Sequence, residues 1–211
     1  MNAVWLGALA FMIALGFDLA SMARRTALKR AILVGACLLF LLALYEALRQ
    51  PPLWPAPVGV VVLGGLLSLI GLGLLIYSLV IEIPARSTYL APGAPRQLVT
   101  TGAYALTRHP GVLWLALFLA GLVIANRSSA MLLAAPIWLG LDVLYVWLQD
   151  RYFFGQQFPD YDRYRAQTPM LIPTGRSIRR CWQTLRLRRA SSPERRESNQ
   201  PPSSTSRRIS E

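Results

Sequence analysis

Five long apolar stretches constrain this chain more than any other feature of its sequence. They cover roughly residues 3–22, 31–48, 57–81, 110–125 and 129–148. A helix of about 20 apolar residues crosses the hydrocarbon core of a bilayer, where its backbone polar groups must be satisfied within the segment. Only 15% of the residues are charged, which is too few for an ordinary soluble domain. The sequence therefore predicts an all-α polytopic membrane protein with about five transmembrane helices.

The first apolar block has a second interpretation, as a cleaved signal peptide. It lacks a basic residue ahead of the apolar run and a clear small-residue cleavage site, and both features favour a membrane span. We therefore predict three regions. Residues 1–81 form an N-terminal three-span region. Residues 82–173 form a loop, a two-helix hairpin and an interfacial amphipathic helix, and residues 174–211 form a basic, largely disordered tail.

Basic residues alternate between the connections in a way that predicts orientation. The first connection holds Arg24, Arg25, Lys29 and Arg30, and the third holds Arg86, Arg96 and Arg108, whereas the second and fourth hold only Arg49 and Arg127. Lys and Arg collect on the cytoplasmic side of membrane proteins. We therefore expect an integral protein of a prokaryotic plasma or inner membrane, with its N-terminus outside and its C-terminus in the cytoplasm.

The tail carries much of the positive charge of the chain. Residues 174–211 contain ten Arg and three Glu, a net +7 of the total of +12. Because this charge lies on a low-complexity end after the last span, it indicates contact with anionic lipid headgroups and not with nucleic acid. The segment from residue 191 is rich in Ser and Pro and is predicted to be disordered. Cys37 and Cys181 lie in different settings, which predicts neither a disulfide nor a metal site.

The longest connection, residues 82–109, ends in the only histidine of the chain. It is dense in Pro and Gly and is predicted to be irregular, and a loop of this length in a small protein is more often functional than not. His109 takes the N-cap position of the next helix and Pro110 its first position. With Arg108 beside it, this helix N-terminus suits an anion. The alternative is that Arg108 and His109 only anchor the helix at the headgroups.

Four acidic residues interrupt or end the apolar blocks, and they are Asp18, Glu46, Glu82 and Asp142. Ionisable residues within spans are costly and are therefore candidates for function. Glu46 and Glu82 lie at span ends and are expected to reach the interface. Asp18 is expected to pair with Arg24 or Arg25. Asp142 is the better placed candidate because it belongs to a polar face.

That face consists of Trp138, Asp142, Tyr145 and Gln149, spaced 4, 3 and 4 residues apart on one side of the last block. A polar stripe in a span faces a cavity or another helix and not lipid. It runs toward the end that carries His109, so we expect the two to converge on one cavity. Hydrogen bonding between helices, without chemistry, is the alternative. Aromatic and charged residues then alternate from Arg151 onward. This pattern favours an amphipathic segment that lies at the membrane interface and covers the expected cavity.

Three motifs in the C-terminal half of the chain occur in the same order as in a known protein family. They are "TTGAYALTRHP" before an apolar span, the hairpin that ends in "LQDRYF", and "FPDYDRYRAQTPMLIP". Over residues 98–173 this order resembles the integral-membrane methyltransferases, which include isoprenylcysteine carboxyl methyltransferases and phospholipid N-methyltransferases. The matching residues are Gly102, Tyr104, Arg108, His109 and Pro110 in the first motif, and Phe158, Tyr161, Tyr164 and Pro173 in the last.

The resemblance implies a pocket for S-adenosyl-L-methionine that opens to the cytosol, and a membrane lipid or lipidated acceptor that arrives between helices. It implies that the cofactor-binding residues are Tyr104, Arg108, His109, Pro110 and Gln149. The catalytic candidates are Asp150, which matches the second acidic residue of the family, and Asp142, which comes from the polar face described above. Either could take a proton from an amine acceptor, and Asp150 could instead hold the cofactor or orient the acceptor.

The chain departs from the family pattern at three places. Val112 stands where a Tyr is expected, Trp114 where a Gly is expected, and Gln149–Asp150 where the family has a Glu pair. These departures favour a second interpretation, a non-catalytic membrane protein that keeps the scaffold as a partner-binding or ligand-binding module. A soluble nucleotide-binding fold is excluded, because the sequence has no Gly-rich phosphate loop.

Overall fold

The computed structural model of the chain describes residues 2–23, 25–83 and 98–190, and every regular element in these ranges is a helix. The N-terminal part contains α1 (Asn2–Met22), α2 (Thr26–Leu48) and α3 (Val58–Ile76), which continues as a π-helical turn over Tyr77–Glu82. The central part contains α4 (Ala103–Leu106), α5 (Pro110–Asn126) and α6 (Ser129–Leu148), which continues as a π-helical turn over Gln149–Phe153. The C-terminal part contains α7 (Phe154–Gln157), α8 (Tyr161–Gln167) and α9 (Gly175–Ala190).

Four helical segments are long and apolar enough to cross a membrane, which confirms the prediction of an all-helical chain with membrane-spanning helices. These segments are Asn2–Ser21, Thr26–Leu48, Val58–Glu82 and Ser129–Gln157. The helix α5 is apolar but has only 17 residues. At about 1.5 Å per residue it is shorter than a hydrocarbon core of about 30 Å. One boundary differs from its prediction, because α2 begins at Thr26 and not at residue 31.

Small residues bring α3 and α5 into close contact. A Cβ atom on Gly64 would lie 2.6 Å from a backbone nitrogen of α5, and one on Gly71 would lie 2.5 Å from the backbone nitrogen of Phe118. A Cβ atom on Gly121 would in turn lie 2.5 Å from the backbone nitrogen of Ser68. The Ser68 hydroxyl donates a hydrogen bond to the Phe118 carbonyl at 3.0 Å. Close approach of backbones at small residues is the usual way in which helices associate in lipid.

The contact between α1 and α6 is built around Trp138. Its side chain is fully buried, and its indole N–H donates to the carbonyl oxygen of Val4 at 3.2 Å. A Cβ atom on Gly7 would lie 2.1 Å from Trp138 Nε1, so only glycine leaves room for the indole. Phe40 of α2 meets the same ring edge-on, with centroids 5.0 Å apart. Trp138 therefore belongs to the packed core and not to a polar face.

The turn between α5 and α6 is tied to the end of α2. Asn126 donates from Nδ2 to the Leu48 carbonyl at 2.8 Å, and the Ser128 hydroxyl donates to the Ala47 carbonyl at 3.2 Å. The Ser128 hydroxyl also accepts from the backbone N–H of Met131 and so caps α6. These bonds close one end of the bundle, and the opposite end carries the start of α5.

The basic tail, predicted to be largely disordered, begins with a helix that the sequence pattern did not predict. Thr174 and Ser177 cap α9 reciprocally: Thr174 N–H donates to Ser177 Oγ at 2.9 Å, and Ser177 N–H donates to Thr174 Oγ1 at 3.2 Å. Further along, the Thr184 hydroxyl accepts from the Gly102 N–H at 3.0 Å, which fastens α9 to the start of α4.

Some of the predictions concern residues outside the described ranges. Residues 191–211, predicted to be disordered, are among them, as is most of the long connection at residues 84–97. Arg24, Arg86 and Arg96, which contribute to the predicted orientation, also lie outside.

Candidate functional site

A cavity of about 490 Å³ opens within the bundle at the end where α1, α3 and α6 finish and α5 begins. All five long helices and the segment from Phe154 to Tyr164 contribute to its walls, which are mostly apolar and aromatic. The acidic and basic residues among its described lining are Asp18, Arg108, His109 and Asp142. A largely apolar cavity of several hundred Å³ with a few polar groups is typical of a small-molecule site.

The start of α5 and the polar face of α6 both contribute to this cavity. Arg108 and His109 line it from the first, and Asp142 and Gln149 line it from the second. The other two residues that the resemblance implied for the cofactor, Tyr104 and Pro110, also lie on its wall, as does Val112. Trp114 does not line the cavity among the described residues; its backbone carbonyl faces Gly71 of α3. The bulk of its side chain therefore does not fill the cavity.

Asp150 lies behind the cavity wall and not on it. Its buried carboxylate accepts a hydrogen bond from Arg108 Nη1 at 2.6 Å and another, short one from the Tyr161 hydroxyl. His109 Nε2 is 3.6 Å from Asp150 Oδ1, and Arg165 Nε is 3.7 Å from Oδ2. This location fits a residue that orients Arg108 and Tyr161.

The π-helical turns lie at the two places where long helices reach the site. The turn over Gln149–Phe153 lets neighbouring residues serve different partners, because Gln149 points to α1 and Asp150 to Arg108. The turn over Tyr77–Glu82 presents the Ser78 carbonyl to the Tyr104 hydroxyl at 3.2 Å. Insertions of this kind are frequent at functional sites.

Asp18 supplies the partner of the polar face of α6. Its buried carboxylate accepts from the Tyr145 hydroxyl at 2.9 Å and from Gln149 Nε2 at 2.8 Å. The sequence pattern predicts pairing of Asp18 with Arg24 or Arg25 and does not connect it with α6; Arg24 lies outside the described residues. A polar stripe on one span requires a polar partner on another span. This requirement is the one sequence signal that could have predicted the contact between Asp18 and α6.

Asp142 is placed differently from Asp18. Its side chain lines the cavity and makes no hydrogen bond or ion pair with any residue in the described part of the chain. A carboxylate that is taken out of water without a partner is costly, by far more than an uncharged polar group. Asp142 is therefore the acidic group of this cavity that is open to a cationic or hydrogen-bond-donating ligand.

Two nitrogens on the opposite wall make no hydrogen bond in the described part of the chain. Arg108 Nε and His109 Nε2 are buried, and neither makes a hydrogen bond within the described ranges. An unsatisfied buried polar group costs about 1–3 kcal/mol, and native structures contain few of them. The backbone amides at this point are already used, because Arg108 N–H donates to the Pro169 carbonyl at 2.9 Å and His109 N–H to that of Met170 at 3.2 Å. An anion would therefore meet the side chains and not these two amides.

The turn that precedes Arg108 is held by a buried glutamate. Glu82 accepts from the Ala103 N–H at 3.0 Å with Oε1 and at 3.1 Å with Oε2, so the expectation that it reaches the interface is wrong. Gly102 has φ 63° and ψ −132°, a conformation that favours glycine, and a Cβ atom there would lie 1.8 Å from Glu82 Oε1. This close approach explains the glycine of the first motif. Glu46, by contrast, pairs with Arg49 at the exposed end of α2, at 2.8 Å.

His109 is held with its ring neutral. Its imidazole stacks on Phe154, with ring centroids 5.7 Å apart and planes inclined by 17°. Burial lowers the pKa of His109 below its ordinary value of 6.5, the Asp150 carboxylate acts in the opposite direction, and the Arg108 charge lowers it further. The side chain is therefore uncharged at neutral pH, and the positive charge on this wall belongs to Arg108.

The lowered pKa of His109 predicts a loss of stability in mild acid. Because the unfolded chain takes up the proton near the ordinary pKa of about 6.5, the free energy of unfolding should fall as the pH drops below it, until the pKa of the folded state is passed. A His109→Gln variant should lack this step. Unfolding midpoints of both proteins, measured in detergent between about pH 7.5 and about pH 5, test the prediction. Parallel pH profiles for the two proteins would contradict it.

The Arg-His-Pro turn, the polar face of α6 and the aromatic segment after it thus surround one cavity. Phe154, which stacks on His109, belongs to the aromatic segment that the sequence pattern predicts to cover the site, but its contact with His109 is not predicted by that pattern. A comparison of the chain with protein-family models, with curated proteins and with solved structures finds no significant match.

Proposed function

We propose that this protein is an integral-membrane methyltransferase that uses S-adenosyl-L-methionine and acts on a lipid or lipidated acceptor at the cytoplasmic leaflet. The observation that carries the proposal is one mostly apolar cavity with an acidic side chain on one wall and nitrogens without hydrogen bonds on the other. Asp142 lies there without a partner in the described chain, and Arg108 and His109 lie there with unsatisfied nitrogens. Such a cavity complements a small molecule that is both anionic and cationic. The motifs before and after α5 and α6 support the same function by their resemblance to membrane methyltransferases.

The proposal includes five spans, with the N-terminus outside and the C-terminus in the cytoplasm. In this topology α5 is the fourth span, and it packs between α3 and α6. Described basic residues at the end that carries the cavity include Arg25, Lys29 and Arg108, whereas the opposite end has Arg49 and Arg127. The larger positive charge supports a cytoplasmic location for the cavity.

The lining residues fit the chemical groups of S-adenosylmethionine. Arg108 and His109 suit its carboxylate, and Asp142 suits its ammonium or sulfonium charge. The aromatic side chains of Phe154 and Tyr161 offer apolar surface for its adenine ring. When bound, the molecule supplies an electrophilic methyl group whose transfer leaves a neutral thioether. Tyr104 shapes the wall, and Gln149 holds Asp18 and so orients the polar face of α6.

The residues of the chain contribute orientation, exclusion of water and proton transfer. Apolar walls keep water from the reacting atoms, and a fixed orientation lowers the entropic part of the barrier. Asp142 is positioned to accept the proton that an amine or hydroxyl acceptor loses, because no described residue competes for its oxygens. A carboxylate acceptor would need no base. Asp150 does not contact the ligand itself; it holds the Arg108 side chain in place.

The test is binding of S-adenosylmethionine to the purified full chain in lipid nanodiscs, by calorimetry and by thermal shift. We expect Asp142→Asn to weaken binding by roughly tenfold or more, which corresponds to about 1.4 kcal/mol. The matched control is Asp162→Asn, because Asp162 is exposed on α8 and lies outside the cavity. Transfer of a radiolabelled methyl group to a total lipid extract should follow, and Asp142→Asn should reduce it.

A second function is favoured by the departures from the family pattern. Val112 lies on the cavity wall where the family has a tyrosine, and Gln149 is already bonded to Asp18. These features support a non-catalytic scaffold that binds a ligand or a partner. The same experiment separates the two functions. Binding without methyl transfer, or no heat and no thermal shift at all, would favour the scaffold.

A further inference from the structure

We propose that a second groove, between α8 and α9, binds the phosphate group of an anionic phospholipid. The groove has a volume of about 1070 Å³ and shares no lining residue with the first cavity. Four arginines line it, and none of its described lining residues is acidic; the arginines are Arg165, Arg176, Arg179 and Arg180. Arg165 lies 3.7 Å from Asp150, and Arg180 donates to the Gln167 carbonyl at 3.2 Å, whereas Arg176 and Arg179 have no acidic partner in the described chain. The groove is therefore positively charged and suits an anion.

A buried hydroxyl in the groove also lacks a partner. Thr168 lines the groove and is 2% exposed, and its Oγ1 makes no hydrogen bond to any described residue. Hydroxyl donors beside guanidinium groups are suited to phosphate oxygens, which accept several hydrogen bonds at once. Because an unsatisfied buried hydroxyl is costly, a phosphate oxygen at this point would be stabilising. The Thr168 hydroxyl is therefore the contact that we propose for a phosphate oxygen.

The first turn of α9 adds to the positive potential. Thr174 and Gly175 line the groove, and Gly175 begins this helix of 16 residues. The N-terminus of a helix carries partial positive charge, which favours phosphate, and here the N–H groups of Thr174 and Ser177 are already used in the cap. Arg176 and Arg179 project from the same helix, and no acidic side chain of the described chain pairs with either. Both are therefore available to a ligand.

The surroundings of the groove favour a lipid over a free phosphate ion. Trp182 is 63% exposed and Ile178 44% exposed, and both belong to α9, the helix that also carries Arg176, Arg179 and Arg180. A basic helix with exposed Trp and Ile is typical of segments that lie at the membrane interface. Trp147 and Tyr152, at the end of α6, are also exposed, as in the aromatic belt of a membrane protein. In the topology proposed above, the groove would lie at the level of the lipid phosphates.

The groove adjoins the site described above. Arg165 lines the groove and is also 3.7 Å from Asp150, which holds Arg108. Pro169, another lining residue, accepts the backbone hydrogen bond of Arg108. The inference uses the membrane topology proposed above but not methyl transfer, so it can fail or succeed whether or not the first cavity binds S-adenosylmethionine.

The test uses the purified full chain in detergent, titrated by calorimetry with short-chain phosphatidylglycerol, with short-chain phosphatidylcholine and with inorganic phosphate. We expect phosphatidylglycerol to bind most tightly. The double variant Arg176→Gln/Arg179→Gln should bind it roughly 25-fold more weakly, about fivefold for each arginine. Both side chains are exposed and make no ion pair within the described chain, so the fold should be retained.

A matched control removes two arginines outside the groove. Arg163 and Arg186 are exposed on α8 and α9 and do not line the groove, so Arg163→Gln/Arg186→Gln should retain most of the affinity. An equal loss in both double variants would mean nonspecific attraction by surface charge and would overturn the proposal. Inorganic phosphate or phosphatidylcholine that binds as tightly as phosphatidylglycerol would overturn it too. Loss confined to Arg176→Gln/Arg179→Gln supports it.

Discussion

Gly121→Leu should abolish the native packing of α3 on α5. Even the first carbon of a side chain at this position would lie 2.5 Å from the backbone nitrogen of Ser68 and 2.6 Å from the carbonyl oxygen of Gly64. These contacts are with backbone atoms, which cannot rotate away, so the two helices must separate. Overpacking of this kind costs about 1–3 kcal/mol or more, and loss of the Ser68–Phe118 hydrogen bond adds about 0.5–1.5 kcal/mol.

The matched control for Gly121→Leu is Gly73→Leu. Gly73 lies on α3, and no atom of a neighbouring element lies within 4 Å of the place that a Cβ atom would take there, so the larger side chain enters open space. Both substitutions remove a helix glycine and add the same apolar side chain. Thermal unfolding in detergent should therefore give a much lower midpoint for Gly121→Leu than for Gly73→Leu. Similar midpoints would mean that α3 and α5 do not pack through these small residues.

Gly121→Leu should also disturb the candidate site. The helix α5 begins at Pro110, directly after Arg108 and His109, so a shift of α5 moves the wall that carries both side chains. We expect Gly121→Leu to lose S-adenosylmethionine binding, although it lies more than two helical turns from Pro110. This consequence depends on the proposed function, whereas the loss of stability does not.

The positions of the long helices could be predicted from the sequence because apolar runs of this length have few alternatives in a membrane. The N-cap at His109 and the first helical position at Pro110 were predicted correctly for a local reason, the fixed φ and missing N–H of proline. The convergence of Arg108 and Asp142 followed from topology, since the start of α5 and the end of α6 lie at the same end of a helical hairpin.

The contacts between helices could not be predicted in the same way. Both α3 and α5 are apolar on all sides, so no amphipathic stripe indicates which face packs inward. The role of Asp150 depends on Tyr161 and Arg108, which are separated from it by 11 and 42 residues. The π-helical turns that aim Gln149 and Asp150 apart have no recognised sequence signal here. Contacts of this kind depend on how distant segments pack together, and the local sequence pattern does not determine that packing.

Asp150→Asn is expected to be the most damaging single change at the site. The Asp150 carboxylate holds the buried guanidinium of Arg108, and the two side chains are only 6% and 9% exposed. Removing the negative charge leaves Arg108 buried without a counter-ion, because no other acidic group of the described chain is within 4 Å of it. Breaking a buried ion pair by removing one partner costs about 3–5 kcal/mol. The loss should be measured as the change in unfolding midpoint in detergent, with Asp162→Asn as the exposed control.

A double variant distinguishes the loss of a charge partner from the loss of packing. In Arg108→Leu/Asp150→Leu neither charge is buried, and replacing a buried ion pair by apolar side chains is often neutral. The double variant should therefore be more stable than Asp150→Leu alone. Both should lose ligand binding, because the double variant lacks the Arg108 guanidinium and Asp150→Leu lacks the carboxylate that orients it. If instead the two substitutions destabilise the protein additively, Asp150 does not act through Arg108, and its connection to Tyr161 must carry the structural role.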